Sequence, residues 1–169
     1  MTSGFALRVA DLRDLAAVGA LLAASYPALL AEGYEPEVLA KALPLIVKAN
    51  PKLLASGTYY VAETVEGELI ACGGWTKERP GSGGGVEGEA HIRHFATHPD
   101  WIRRGAASGL LGCCIQDATA AGIEMLECYS TLVAVAFYQA SGFVAVRPID
   151  LELMPGVSFP GLLMRRQLP

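Results

Sequence analysis

The 169 residues are the size of one domain, and with 52% of them apolar the chain can fill a substantial core. A net charge of −4 without a basic block interleaved with aromatics gives DNA or RNA no electrostatic footprint. Cys72, Cys113, Cys114 and Cys128 contain no C-x-x-C pair, so a zinc or disulfide framework is not expected and the thiols read as reduced core residues.

The N-terminal segment MTSGFALRVADLRD has no basic-then-apolar leader and runs into a strand over residues 5–10, with Asp11 as a candidate helix cap. Leu12, Leu15, Val18, Leu21 and Leu22 then recur at helical spacing, and a second helix is predicted over 35–48, with Pro36 in its first turn and Asn50-Pro51 stopping it. Apolar stretches are broken by Pro, Gly or charge before the roughly 20 residues of a spanning helix, so no membrane segment and a cytoplasmic location are expected. Residues 58–64 and 69–76 read as a hairpin turning at Glu66-Gly67. The run Pro80-Gly81-Ser82-Gly83-Gly84-Gly85 lacks the Lys-Ser/Thr of a Walker motif and opens no helix, so it reads as a connection between strands. A strand follows over 89–97, ended by His98-Pro99, then a helix over 103–121 closed by Gly122. Another strand over 124–130, a helix over 131–141 closed by Gly142, and a strand over 143–153 come next. The tail over 161–168 adds a last edge strand. No repeat or linker divides the chain, so residues 1–169 form one domain.

The segment from Thr97 to Ser108 is the most informative, because there a strand turns through small residues into a helix. A helix start exposes about four unpaired N–H groups and the positive end of the dipole, a ready anion site. Arg103 and Arg104 add charge to it. Some thirty residues later comes Phe137-Tyr138-Gln139-Ala140-Ser141-Gly142-Phe143.

With these two segments in this order, the sequence resembles the GNAT acetyltransferase superfamily. Its loop matches at Ile102-Arg103-Arg104-Gly105-Ala106-Ala107, its Phe-Tyr-x-x-x-Gly-Phe motif is intact, and the opening Leu-Arg-x-Ala-x-x-x-Asp pattern and early hairpin also fit. Ile102, Thr97 and Thr131 depart from the usual Gln or Arg, Val and Asn, although Thr131 can still cap the helix that follows. The resemblance implies an α/β (α+β) GNAT fold, a mixed, mostly antiparallel sheet of six to seven strands flanked by about four helices. It also implies that acetyl-coenzyme A is the cosubstrate, that the acceptor is a small-molecule or peptide amine, and that attack is direct.

Residue by residue, the resemblance assigns the pantetheine arm and thioester to Phe95, Ala96 and Thr97. A main-chain N–H there would act as an oxyanion donor. It assigns the pyrophosphate to Arg103, Arg104, Gly105, Ala106, Ala107 and Ser108, adds Thr131 to the coenzyme site, and makes Tyr138 the acid that protonates the departing thiolate. His91, six residues before Thr97, stands where some members carry a catalytic Glu and is the candidate base, with Glu89 and Glu127 also open. His91, His94 and His98 do not converge on one side of an ideal strand, so no metal is expected. A coenzyme A-binding sensor without turnover is the alternative reading. Edge strands at both ends of the sheet suggest a homodimer.

Overall fold

The computed structural model describes residues 4–81 and 83–169; Ser82 of the glycine-rich connection lies outside the described residues. A seven-stranded, mostly antiparallel sheet runs in the order β1-β2-β3-β4-β5-β7-β6. Its strands are β1 (Phe5–Val9), β2 (Tyr59–Thr64), β3 (Leu69–Thr76), β4 (Glu89–Thr97), β5 (Met125–Ser130), β6 (Val144–Met154) and β7 (Val157–Gln167). Its helices are α1 (Leu15–Leu29), α2 (Pro36–Ile46), α3 (Pro51–Leu54), α4 (Ala106–Ala120) and α5 (Val135–Ala140). Mixed architecture and strand count agree with expectation.

Strand alternation decides what each face carries. Tyr60, Ala62, Ile70, Ala90, Ile92, Leu126 and Cys128 pack with Leu110, Leu111 and Cys114 of α4 in one core layer. Tyr59, Val61, Cys72 and Ala96 pack with Val18, Leu21 and Leu22 of α1 and Leu53 and Leu54 of α3 in the layer opposite. The opening Leu-Arg-x-Ala-x-x-x-Asp pattern acquires a physical meaning here. Arg8 on β1 donates two hydrogen bonds to Asp14, at 2.8 and 2.9 Å, and one to Glu63 at 2.8 Å. Asp14 in turn accepts from the Asp11 backbone N–H, so the ion pair also closes the capping box at the start of the first helical turn.

Several sequence expectations need correction. The C-terminal strand is interior rather than an edge: β7 lies between β5 and β6, and β6 takes the edge. Pro27 does not break the first helix, which continues through it to Leu29. The helical run Leu12–Glu32 therefore reaches 21 residues with a mean hydropathy of 1.6, long and apolar enough to cross a membrane. Its Val18, Leu21 and Leu22 are spent on the sheet core. Asn50 does not merely stop α2; its side chain accepts the Lys52 N–H and starts α3. The helix predicted over 131–141 forms only from Val135, because residues 131–134 close a turn first.

Candidate active site

The sheet opens at its one parallel pair. β4 and β5 are in register only at Glu89–Met125, Ala90–Leu126 and His91–Glu127, after which they part. A register shift between β3 and β4 at Cys72/Gly74, together with a left-handed φ of 52° at His94, bends β4 there, as a bulge does. β5 stays paired to β7 along its whole length. The inner edge of β4 beyond His91 is thus left without a neighbouring strand, and a cavity of about 950 Å³ lies along it. Phe95, Ala96 and Thr97 form part of its wall, as do Cys128, Thr131 and Tyr138.

At one end the cavity meets the start of α4. His98 Nδ1 accepts from the Asp100 N–H and begins a 3-10 turn over Pro99–Trp101, which leads to Ile102 in an extended conformation. Arg103 and Gly105 then adopt φ values of 60° and 88°. A turn with residues of this hand gathers successive N–H groups on one side, an anion-binding concavity. The N–H of Gly109 bonds to the Gly105 carbonyl at 2.9 Å, so those of Ala106, Ala107 and Ser108 have no acceptor within the helix. All three residues line the cavity, with Arg103 and Gly105. A Cβ added at Gly105 would meet nothing within 4 Å, which leaves the space before these amides open. Arg104 is turned elsewhere: its guanidinium stacks 4.8 Å above the Trp101 ring.

Tyr138 is set by its motif. Gly142, with a φ of 89°, reverses the chain after α5, and Phe143 N–H returns to the Tyr138 carbonyl at 3.0 Å. Phe137, Phe143 and Phe95 surround the Tyr138 ring edge-on at centroid distances of 5.1, 5.4 and 6.4 Å. Burial raises its hydroxyl well above the ordinary 10, so it is protonated at neutral pH. Thr131 does not cap α5. Ala134 holds the cap position without a side-chain bond, while the Thr131 carbonyl accepts the Ala134 N–H and the Ser130 hydroxyl.

The three candidate bases group away from the cavity wall. His91 is 1% exposed, with Nδ1 3.3 Å from Glu127 Oε1, and both its ring nitrogens are buried without a hydrogen-bond partner. Arg165 pairs with Glu127 at 2.5 Å and with Glu89 at 3.8 Å. His91, Glu89 and Glu127 are not among the residues that line the cavity. The wall instead carries His94 and Tyr26, to which sequence reasoning gave no catalytic role. A signal for them was present in Gly73-Gly74 inside β3, since paired glycines in a strand mark a bulge or a close approach. A Cβ on Gly73 would fall 2.3 Å from Phe95 Cδ1, and one on Gly74 2.4 Å from the Thr58 carbonyl.

The acetyltransferase (GNAT) family model matches residues 19–143. Among solved structures, a GCN5-related N-acetyltransferase from Rhodopseudomonas palustris aligns with a TM-score of 0.77 and 24% identity over 99% of this chain and 98% of its own. The PaiA N-acetyltransferase from Thermoplasma acidophilum, in complex with coenzyme A, aligns at 0.72 and 14% identity over 99% of both chains. An N-acetylglutamate synthase from Neisseria gonorrhoeae, complexed with coenzyme A and N-acetyl-glutamate, aligns at 0.63 and 18% identity over 98% of this chain and 35% of its own. No curated protein sequence matches the chain.

Proposed function

Because the chain belongs to the acetyltransferase (GNAT) family, we propose that it moves the acetyl group of acetyl-coenzyme A directly onto an amine. The observation that carries this reading is one cavity that joins the open edge of β4, the unpaired amides of α4 and the Tyr138 side chain. In this reading the pyrophosphate takes the N–H groups of Ala106, Ala107 and Ser108, with Arg103 adding charge. Arg104, stacked on Trp101, acts at longer range. The pantetheine arm extends the sheet along Phe95, Ala96 and Thr97, whose edge on the β5 side has no strand beside it. An N–H from this edge meets the thioester carbonyl as charge develops on its oxygen.

The amine nitrogen then bonds to the acetyl carbon, the carbon–sulfur bond breaks, and the Tyr138 hydroxyl gives its proton to the departing thiolate. Cys128 also lies on the wall, but burial pushes its thiol up to about 12, which disfavours a thiolate acetyl carrier at neutral pH and supports direct attack. The amine arrives from the side of α1 and α2, where Tyr26 and Glu32 line the same cavity.

Free thiol released from acetyl-coenzyme A across a panel of small-molecule and peptide amines tests the proposal. One thiol per acetylated amine is expected. Coenzyme binding in calorimetry with no release for any amine would instead favour a sensor.

A further inference from the structure

We propose that His94 is the general base of this site, taking the ammonium proton of the acceptor on Nδ1. The inference rests on the acetyl-transfer reading above and identifies a catalytic residue for it.

Three independent features of the ring lead there. The first is its tautomer. Nε2 lies 2.8 Å from the Ile46 carbonyl at the end of α2, and a carbonyl only accepts, so Nε2 carries the hydrogen and Nδ1 of the neutral ring has the lone pair. The second is access. His94 is half-buried and lines the cavity, whereas His91 is buried with both ring nitrogens unpartnered. A base must reach the proton it removes. The third is how firmly the residue is held in an uncommon conformation. Its φ of 52° is unusual for a residue other than glycine. The Tyr59 hydroxyl donates to its carbonyl at 2.7 Å, and the Tyr26 hydroxyl donates to the Phe95 carbonyl next along at 2.8 Å. The Tyr26 and His94 rings pack 5.8 Å apart. Strain held in this way from several elements is characteristic of functional positions.

The bulge also sets base against acid. Phe95 packs its ring on Tyr138, whereas the His94 ring reaches back to α1 and α2. In the proposed arrangement an amine entering from the α1–α2 side passes the His94 ring on its way to the thioester, whose sulfur would lie toward Tyr138. Against His94 stand Tyr26 from α1, ring to ring, Tyr59 from β2 and Cys72 from β3 at its carbonyl, and Arg93 beside it on β4, while Glu32, Lys48 and Glu152 line the same cavity. Burial first, then Arg93, lowers His94 below its ordinary 6.5, against the opposing effect of the Ile46 carbonyl. The ring is therefore neutral and able to accept a proton at pH 7.

Two measurements test the assignment. In the unsubstituted chain, the ¹⁵N imidazole spectrum at pH 7 should show His94 protonated at Nε2 and bare at Nδ1; a proton on Nδ1 overturns the proposal without any variant. The second is His94→Asn, since Asn tolerates a positive φ. With the amine giving the fastest thiol release, single-turnover transfer should fall about 100- to 10,000-fold. The variant should also lose the rate increase seen below pH 6.5 while binding coenzyme A as the parent does, and added imidazole should restore part of the rate. If the variant keeps that limb and a rate within twofold of the parent, His94 is not the base although acetyl transfer stands. A parent that releases thiol with no amine overturns the acetyl-transfer reading itself, and the role of His94 with it.

Discussion

Removing the Tyr138 hydroxyl separates chemistry from packing more cleanly than any other change at the site. In Tyr138→Phe the ring keeps its contacts to Phe137, Phe143 and Phe95, and the ring is already 5% exposed, so little apolar burial changes. Coenzyme affinity and melting temperature should stay close to those of the parent. General acids typically contribute about 100- to 10,000-fold, and because a thiolate leaves readily the low end applies. A loss of about 100-fold corresponds to about 2.7 kcal/mol of transition-state stabilisation. The pH dependence is a further check. A tyrosine acid works in its protonated form and fails as pH rises through its pKa; burial raises that pKa well above 10, so the parent should show no alkaline limb from Tyr138 up to pH 10. Rapid-quench single turnovers with saturating acetyl-coenzyme A remove product release from the measurement. A single-turnover rate within twofold of the parent would refute the assignment.

Three further outcomes are expected. Gly105→Ala forces a side chain into a φ of 88° at about 1–2 kcal/mol and projects its Cβ into open cavity space, so coenzyme Kd by calorimetry should rise at least about tenfold alongside a modest fall in melting temperature. Gly73→Ala places a Cβ 2.3 Å from Phe95 Cδ1; displacing that ring should cost about 1–3 kcal/mol in thermal unfolding and slow single-turnover transfer through its contact with Tyr138. Burial pushes the thiols of Cys72 and Cys128 up to about 12 and raises that of Cys114 further, so iodoacetamide at pH 8 should label only the half-buried Cys113 in the native chain and all four after denaturation, read by mass spectrometry.

Local patterns located nearly every strand, and Asp11, Gly122 and Gly142 marked helix ends because caps and left-handed turns are chosen by nearby residues alone. Tyr138 stood out only through its place in the family motif, whereas the small-residue helix start from Arg103 to Ser108 was legible as a local pattern. Long-range pairing was not. Nothing within residues 157–167 says that they insert between β5 and β6, and nothing local to Pro27 says that α1 continues through it to Leu29. His91 drew attention because, counted six residues before Thr97 along an ideal strand, it stands where some members of the resembled family carry a catalytic Glu. The bulge at His94 breaks that ideal, and the Ile46 carbonyl that orients the His94 ring comes from 48 residues away.

Whether the opening between β4 and β5 holds the acetyl thioester is decided by a structure of the chain with coenzyme A. The diphosphate should accept hydrogen bonds from the amides of Ala106 to Ser108, the pantetheine should run along Phe95 to Thr97, and the sulfur should lie within hydrogen-bond reach of the Tyr138 hydroxyl. Coenzyme A bound elsewhere, or bound with its sulfur turned away from Tyr138, would contradict the account.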